Sequence, residues 1–183
     1  MNKIPTIFVR DMSKQPALVT PEWSPGCEWV RDGEGIATRK YDGTSCLVRD
    51  GKLYKRRELR PGAVWLDSFE SLGMDENTGK TVGWVPVGDG PEDRWHREAI
   101  ANENVLPYNG TYELLGPKIQ GNKDRREAHV LQSHRMARTY PLAPRTFEGI
   151  KAFLEENMIE GLVWHHPDGR MAKIKRRDFG LKW

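Results

Sequence analysis

Asp50-Gly51 stands between two short runs, Ser45-Cys46-Leu47-Val48-Arg49 and Lys52-Leu53-Tyr54-Lys55. An Asp-Gly pair accepts the positive φ angles of a two-residue hairpin turn, so the strands it joins must run antiparallel. The same constraint recurs at His166-Pro167-Asp168-Gly169, where Pro, Asp and Gly occupy favourable turn positions between Glu160-Gly161-Leu162-Val163-Trp164-His165 and Arg170-Met171-Ala172-Lys173-Ile174-Lys175. Further strands are expected at 35–39, 110–116 and 129–132. The first is read as part of a central hairpin from Gly35 to about Arg57. Glycine and proline recur from Leu59 to Gly90, which predicts an insertion with one or two short strands. Helices are expected at 92–102, after Pro91, and from Thr146 as N-cap to about Asn157, with Phe147, Ile150 and Leu154 on one face. The fold class that follows is α+β, with antiparallel sheets and flanking helices.

At 183 residues the chain is long enough to bury a core without disulfide or metal staples. It is read as a single domain, 1–183. Residues 1–34, with scattered Pro and Trp, form an N-terminal extension of irregular structure and short extended pieces packed on the core. Apolar residues at 37% and charged residues at 30% exclude a disordered chain. The seven Trp are expected mostly in the core. No apolar run reaches membrane-spanning length, and Met1-Asn2-Lys3-Ile4-Pro5 lacks a secretory signal pattern. A cytoplasmic, non-secreted location is the expectation, with Cys27 and Cys46 as small buried hydrophobes.

The net charge of +3 and a sequence pI of about 8.9 are compatible with a polyanionic partner. Arg125, Arg126, Arg135 and Arg138 are candidate phosphate-binding cations, weighed against ordinary surface charge. His129, His134, His165 and His166 match no zinc spacing and are read as satisfied core or surface residues.

Lys40-Tyr41-Asp42-Gly43 places an amine where a strand runs into a turn. A neutral lysine amine attacks phosphorus or carbonyl carbon to form a covalent intermediate. Glu113 lies inside an otherwise apolar strand, and Lys173-Ile174-Lys175 puts two cations on one strand face. An even-numbered loop centred between Pro167 and Asp168 pairs Glu160 with Lys175 and Leu162 with Lys173, which gathers Glu160, Lys173 and Lys175 on one face. A three-residue bulged loop would change that register. Such a set suits nucleotidyl transfer, in which negative charge developing on a phosphate must meet cations already in place. Lys173 and Lys175, with partial burial, would lower the Lys40 pKa towards the nucleophilic form, and Asp42 would oppose them if close.

Lys40-Tyr41-Asp42-Gly43-Thr44, Tyr54-Lys55-Arg56-Arg57, Tyr112-Glu113-Leu114-Leu115-Gly116, Glu160-Gly161-Leu162-Val163 and Lys173-Ile174-Lys175, in this order, resemble the motifs of the covalent nucleotidyltransferases, the DNA and RNA ligases and mRNA capping enzymes. Within that superfamily the chain resembles the ATP-dependent 5′-3′ RNA ligase family over almost its whole length. The resemblance implies a ligase adenylation domain, antiparallel sheets around an ATP pocket, and no oligonucleotide-binding barrel after Lys175. It implies that Lys40 is adenylylated by ATP, that Arg56 or Arg57 and Glu113 contact the ribose, that Glu160 holds hydrated Mg²⁺ or Mn²⁺, and that Lys173 and Lys175 contact the α-phosphate. AMP then passes to an RNA 5′-phosphate, and a 3′-hydroxyl displaces it to seal the strand, a chemistry suited to RNA repair by a monomeric enzyme. Gln120 and Gln132-Ser133-His134-Arg135 depart from the family pattern, where an asparagine and Pro-His-Gly are usual. Two rivals stand beside this reading: a non-sealing nucleic-acid-binding module of the same fold, and an adenylyltransferase or ligase acting on DNA or protein.

Overall fold

The computed structural model describes residues 4–75, 78–103 and 108–183. In chain order the elements are β1 (Phe8–Asp11), β2 (Leu18–Trp23), α1 (Glu28–Arg31), β3 (Ile36–Lys40), β4 (Thr44–Arg49), β5 (Lys52–Leu59), β6 (Glu70–Met74) and β7 (Thr81–Pro86). They continue with α2 (Arg94–Glu103), β8 (Gly110–Leu115), β9 (Val130–Ser133), β10 (Thr139–Tyr140), α3 (Phe147–Glu156), β11 (Gly161–His165) and β12 (Met171–Lys175). The architecture is α+β, mostly strand, with antiparallel pairing within every sheet. By backbone proximity the chain forms two compact units, one from Asp42–Met136 and one from Ile4–Tyr41 with Ala137–Trp183.

The Asp42–Met136 unit is built on a six-stranded sheet in the order β6-β7-β5-β4-β8-β9. Its β4-β5 hairpin turns at Asp50 (φ 51) and Gly51 (φ 71), the two left-handed positions that the Asp-Gly pair predicts. Alternation sends Cys46, Val48, Leu53, Tyr112, Leu114 and Leu131 into a core closed by Ala99 of α2. The predicted insertion contains two strands, β6 and β7. Between them and β5, Val64, Trp65 and Leu66 are exposed, so Trp65 is an exception to the core placement expected of tryptophan.

The second unit carries a four-stranded sheet in the order β10-β3-β11-β12 and the β1-β2 pair. Residues 35–39 were expected to join the Asp50-Gly51 hairpin, yet β3 pairs with β11, Lys40 facing Gly161. Only this long-range pairing could assign the strand to its sheet. Ala37, Leu162, Trp164, Ala172 and Ile174 alternate onto one face and are at most 1% exposed. α3 covers them with Ile150 and Leu154, and its Thr146 cap accepts the Gly149 N–H at 3.1 Å, as predicted. The chain start is woven into this unit: the Ile7 N–H donates to the Lys173 carbonyl at 2.9 Å, and Ile7 and Phe8 are core residues.

The β11-β12 register differs from the even-loop expectation. Gly161 faces Lys175, Leu162 faces Ile174 and Val163 faces Lys173. His166 N–H bonds the Arg170 carbonyl at 2.9 Å, Asp168 accepts the Arg170 N–H at 2.9 Å, and Gly169 is left-handed (φ 93). These close a three-residue loop and shift the pairing by one.

Candidate active site

In the second unit β11 is the central strand, with Lys40 of β3 on one side of Gly161 and Lys175 of β12 on the other. The row behind it is Thr38, Val163 and Lys173. Because strand side chains alternate, these residues share the face opposite the core. Gly161 is required by close packing: a Cβ there would lie 2.0 Å from the Ile174 carbonyl oxygen and 2.9 Å from the Lys175 Cα. Its missing side chain leaves room for both lysines to turn towards one carboxylate.

That carboxylate is Glu160, 5% exposed. Lys40 Nζ donates to its Oε2 at 2.5 Å, and Lys175 Nζ lies 2.7 Å from its Oε1. The predicted grouping of Glu160 with Lys175 therefore holds while its reason does not. Glu160 precedes β11 and faces Arg176, whose N–H bonds the Glu160 carbonyl at 2.8 Å. Strand alternation does not set its side-chain direction. Burial, with the like charge of Lys40 second, holds the Lys175 ammonium below its ordinary pKa despite Glu160. Lys40 also donates to the Tyr41 carbonyl at 3.1 Å. Lys175 is anchored at its backbone, where its N–H bonds Asp178 Oδ2 at 2.9 Å; Asp178 in turn accepts from Arg10 at 2.7 Å.

Sequence reasoning missed two polar groups on this face. Thr38 Oγ1 donates to the Val163 carbonyl at 3.2 Å and lies 3.0 Å from His165 Nε2. Counting two residues back from Lys40 along an alternating strand would have found Thr38; His165 needed the β3-β11 register.

In the Asp42–Met136 unit a row runs Ser45, Glu113, Gln132 across β4, β8 and β9. Glu113 is 8% exposed. Its Oε1 accepts the Gly43 N–H at 3.1 Å, and its Oε2 lies 3.1 Å from His134 Nε2. Thr111 Oγ1 holds the other ring nitrogen of His134 at 3.0 Å. A Cβ on Gly43 would stand 2.2 Å from the Leu114 carbonyl oxygen, which explains glycine at that position. Asp42 N–H bonds Asp124 Oδ2 at 3.0 Å. His134 is thus satisfied at both ring nitrogens, as the sequence suggested, and one of its partners is Glu113.

Pairing places Arg56 and Arg57 on opposite faces of the sheet. Cys46 faces both Lys55 and Tyr112, so Lys55 and Arg57 point to the face away from Glu113 and Arg56 to the Glu113 face. Lys55 is ion-paired with the buried Asp93, and Arg57 is exposed. Arg56 Nε and Ser45 Oγ are buried without a hydrogen-bond partner among the described residues. Arg125 and Arg135 of the same unit are exposed, while Arg126 bonds Gln132 at 3.0 Å. Arg138 belongs to the other unit, its guanidinium 5.2 Å from the Tyr140 ring centroid.

Of the remaining histidines, buried His96 has neither ring nitrogen hydrogen-bonded among the described residues, while His129 and His166 are held by neighbours. His129 bonds Glu98 at 2.8 Å and stacks on Trp95, and His166 lies between Glu34 and Asp168. Among the described residues no group of three or more His, Cys, Asp or Glu side chains is arranged to hold a metal. Among them, too, no helix is long and apolar enough to cross a membrane.

Residues 106–183 match the family model described as RNA ligase 1. That span contains Glu113, Glu160, Lys173 and Lys175 and excludes Lys40 and Arg56. The mouse (Mus musculus) protein named RNA ligase 1 is 24% identical over an alignment 264 positions long, gaps included, covering 99% of this chain and 81% of the mouse protein. The rat (Rattus norvegicus) protein of the same name is 22% identical, with the same coverage. The zebrafish (Danio rerio) RNA ligase 1 is 35% identical over 142 residues, covering 60% of this chain and 44% of its own length. Together, the motif order, the family model and relatives aligned along nearly the whole chain support its membership of an RNA ligase family.

Proposed function

We propose that the chain is an ATP-dependent RNA ligase working through a lysine-AMP intermediate on a nucleotidyltransferase fold. The observation that carries this reading is the Lys40-Glu160-Lys175 cluster about Gly161: a half-buried amine and a second ammonium on the strands either side of β11, with a buried carboxylate at its entry. In the proposed first step Lys40 Nζ attacks the α-phosphorus of ATP. A P–N bond forms, the bond to the bridging oxygen breaks, and pyrophosphate leaves. Lys175, with Lys173 on the same face, meets charge on the α-phosphate, and Glu160 is the base positioned to receive the Nζ proton. AMP then passes to an RNA 5′-phosphate, which restores the amine. A 3′-hydroxyl attacks that phosphorus and releases AMP.

A carboxylate between two ammonium groups suits a hydrated cation arriving with a triphosphate, because Mg²⁺ keeps much of its water. Glu160 is the residue assigned to Mg²⁺ or Mn²⁺, which when bound neutralises phosphate charge. Arg56 and Glu113 keep the ribose roles that the resemblance implies. Two free, buried cysteines fit a reducing, cytoplasmic setting.

Incubation with α-labelled ATP and Mg²⁺ is expected to leave acid-stable AMP on the protein, absent from Lys40→Ala. Label that persists in that variant overturns the mechanism. Parallel 5′-phosphorylated RNA and DNA acceptors decide the substrate.

A further inference from the structure

The segment from Ile119 to Arg126 is unlike the other loops. Gln120 (φ 45), Gly121 (φ 70) and Asn122 (φ 52) are successive left-handed residues, and Arg125 (φ 52) is a fourth. Three of these carry side chains, for which that conformation costs about 1–2 kcal/mol each, so surrounding bonds must hold them. The bonds are present: Asn122 N–H donates to the Ile119 carbonyl at 2.7 Å, and Arg125 N–H to the Asn122 carbonyl at 2.9 Å.

They converge on Arg126. Asn122 grips its backbone twice, Oδ1 accepting the Arg126 N–H at 2.8 Å and Nδ2 donating to its carbonyl at 3.0 Å. The guanidinium is aimed separately, Nη2 donating to Gln132 Oε1 at 3.0 Å. Nε is enclosed without a partner, which leaves the Nη end of the fork as the outward donor edge. Gln132 itself stands beside Glu113 in the Ser45-Glu113-Gln132 row. No ion pair joins Arg126 to an acid among the described residues. Glu113, the acid of that row, is instead occupied by Gly43 and His134. A half-buried arginine held at backbone and side chain, yet given no carboxylate, is prepared for an anion that arrives from outside.

The geometry points to Arg126 as the receptor for a phosphate of the RNA strand, with Gln132 and Asn122 as its positioning residues. This rests on the RNA ligase reading, and it separates Arg126 from Arg125, Arg135 and Arg138, which lack such a frame. Gln132 stands where the sequence departs from its family's pattern, so the device belongs to this chain's own residues.

Fluorescence anisotropy with a 5′-phosphorylated, labelled oligoribonucleotide tests it at several salt concentrations. Arg126→Ala is expected to weaken binding about tenfold or more and to lower the slope of log K against log salt by about 0.7, one single-strand phosphate contact. Arg126→Lys keeps the charge without the fork and is expected to stay weak. Gln132→Leu removes no charge, so it is expected to weaken binding several-fold with the slope unchanged. Arg125→Ala is expected to stay within about threefold of wild type. Equal losses in Arg125→Ala and Arg126→Ala, or wild-type binding by both Gln132→Leu and Arg126→Lys, overturns the proposal in favour of diffuse surface charge. The adenylate mass on wild type, followed in parallel, reports on the ligase reading alone.

Discussion

Gly161 has no side chain, and the two lysines across from it on either strand share a single buried acid. Three residue-scale predictions follow from that arrangement. Glu160→Gln keeps the shape but leaves two ammonium groups without their counter-charge; adenylate formation, read by intact mass, is expected to fall about 100-fold or more. Gly161→Ala forces a methyl against the Ile174 carbonyl, so adenylation is expected to be lost together with about 1–3 kcal/mol of stability in urea unfolding. Lys175 gives a pH dependence. Its folded pKa lies below the ordinary 10.5, so between the two values the unfolded chain binds more protons and stability rises with pH. Urea unfolding from pH 8 to 11 should show that rise, flattened in Lys175→Met. Lys40, Glu160 and Lys175 were readable as chemistry-bearing residues in the chain. That Glu160 reaches both lysines was not, because its direction is set at the entry to a strand whose register a three-residue loop had shifted.

Among the elements, the turns and caps were the most readable features, because their determinants lie within four residues of each other. Asp50-Gly51 and the Thr146 cap formed as their residue types dictate. Thr146→Ala leaves the Gly149 N–H without its partner and is expected to cost about 1 kcal/mol, measured as a lowered midpoint in thermal or urea unfolding. The sheet faces were readable as alternation but not as partnerships. β3 carries Lys40, yet its pairing with β11 joins residues more than a hundred positions apart, and no local pattern selects that neighbour. Trp164, at the centre of β11 and 0% exposed, reports on the pairing: Trp164→Ala is expected to cost about 3–5 kcal/mol and to abolish adenylation with it.

For the whole molecule, the chain passes from one compact unit to the other between Tyr41 and Asp42 and again between Met136 and Ala137. The first passage falls within the Lys40-Tyr41-Asp42-Gly43 motif. Bulk charge is only +3, so under the proposed RNA ligase function affinity for RNA is expected from local cations rather than from a global field. Titration with salt is therefore expected to give a shallow slope, equivalent to a few phosphates, and a slope near ten contacts would contradict it. The antiparallel α+β class, the positions of the turns, the helix cap and the order of motifs that resembles the RNA ligases were legible along the chain, since each is encoded in residues close together in sequence. It took the long-range pairings to show which strand Lys40 lies beside, which of Arg56 and Arg57 shares a face with Glu113, and that His134 and Gln132 lie next to Glu113. Strand partnership and register depend on burying whole faces against distant segments, an energy that no short stretch of residues contains.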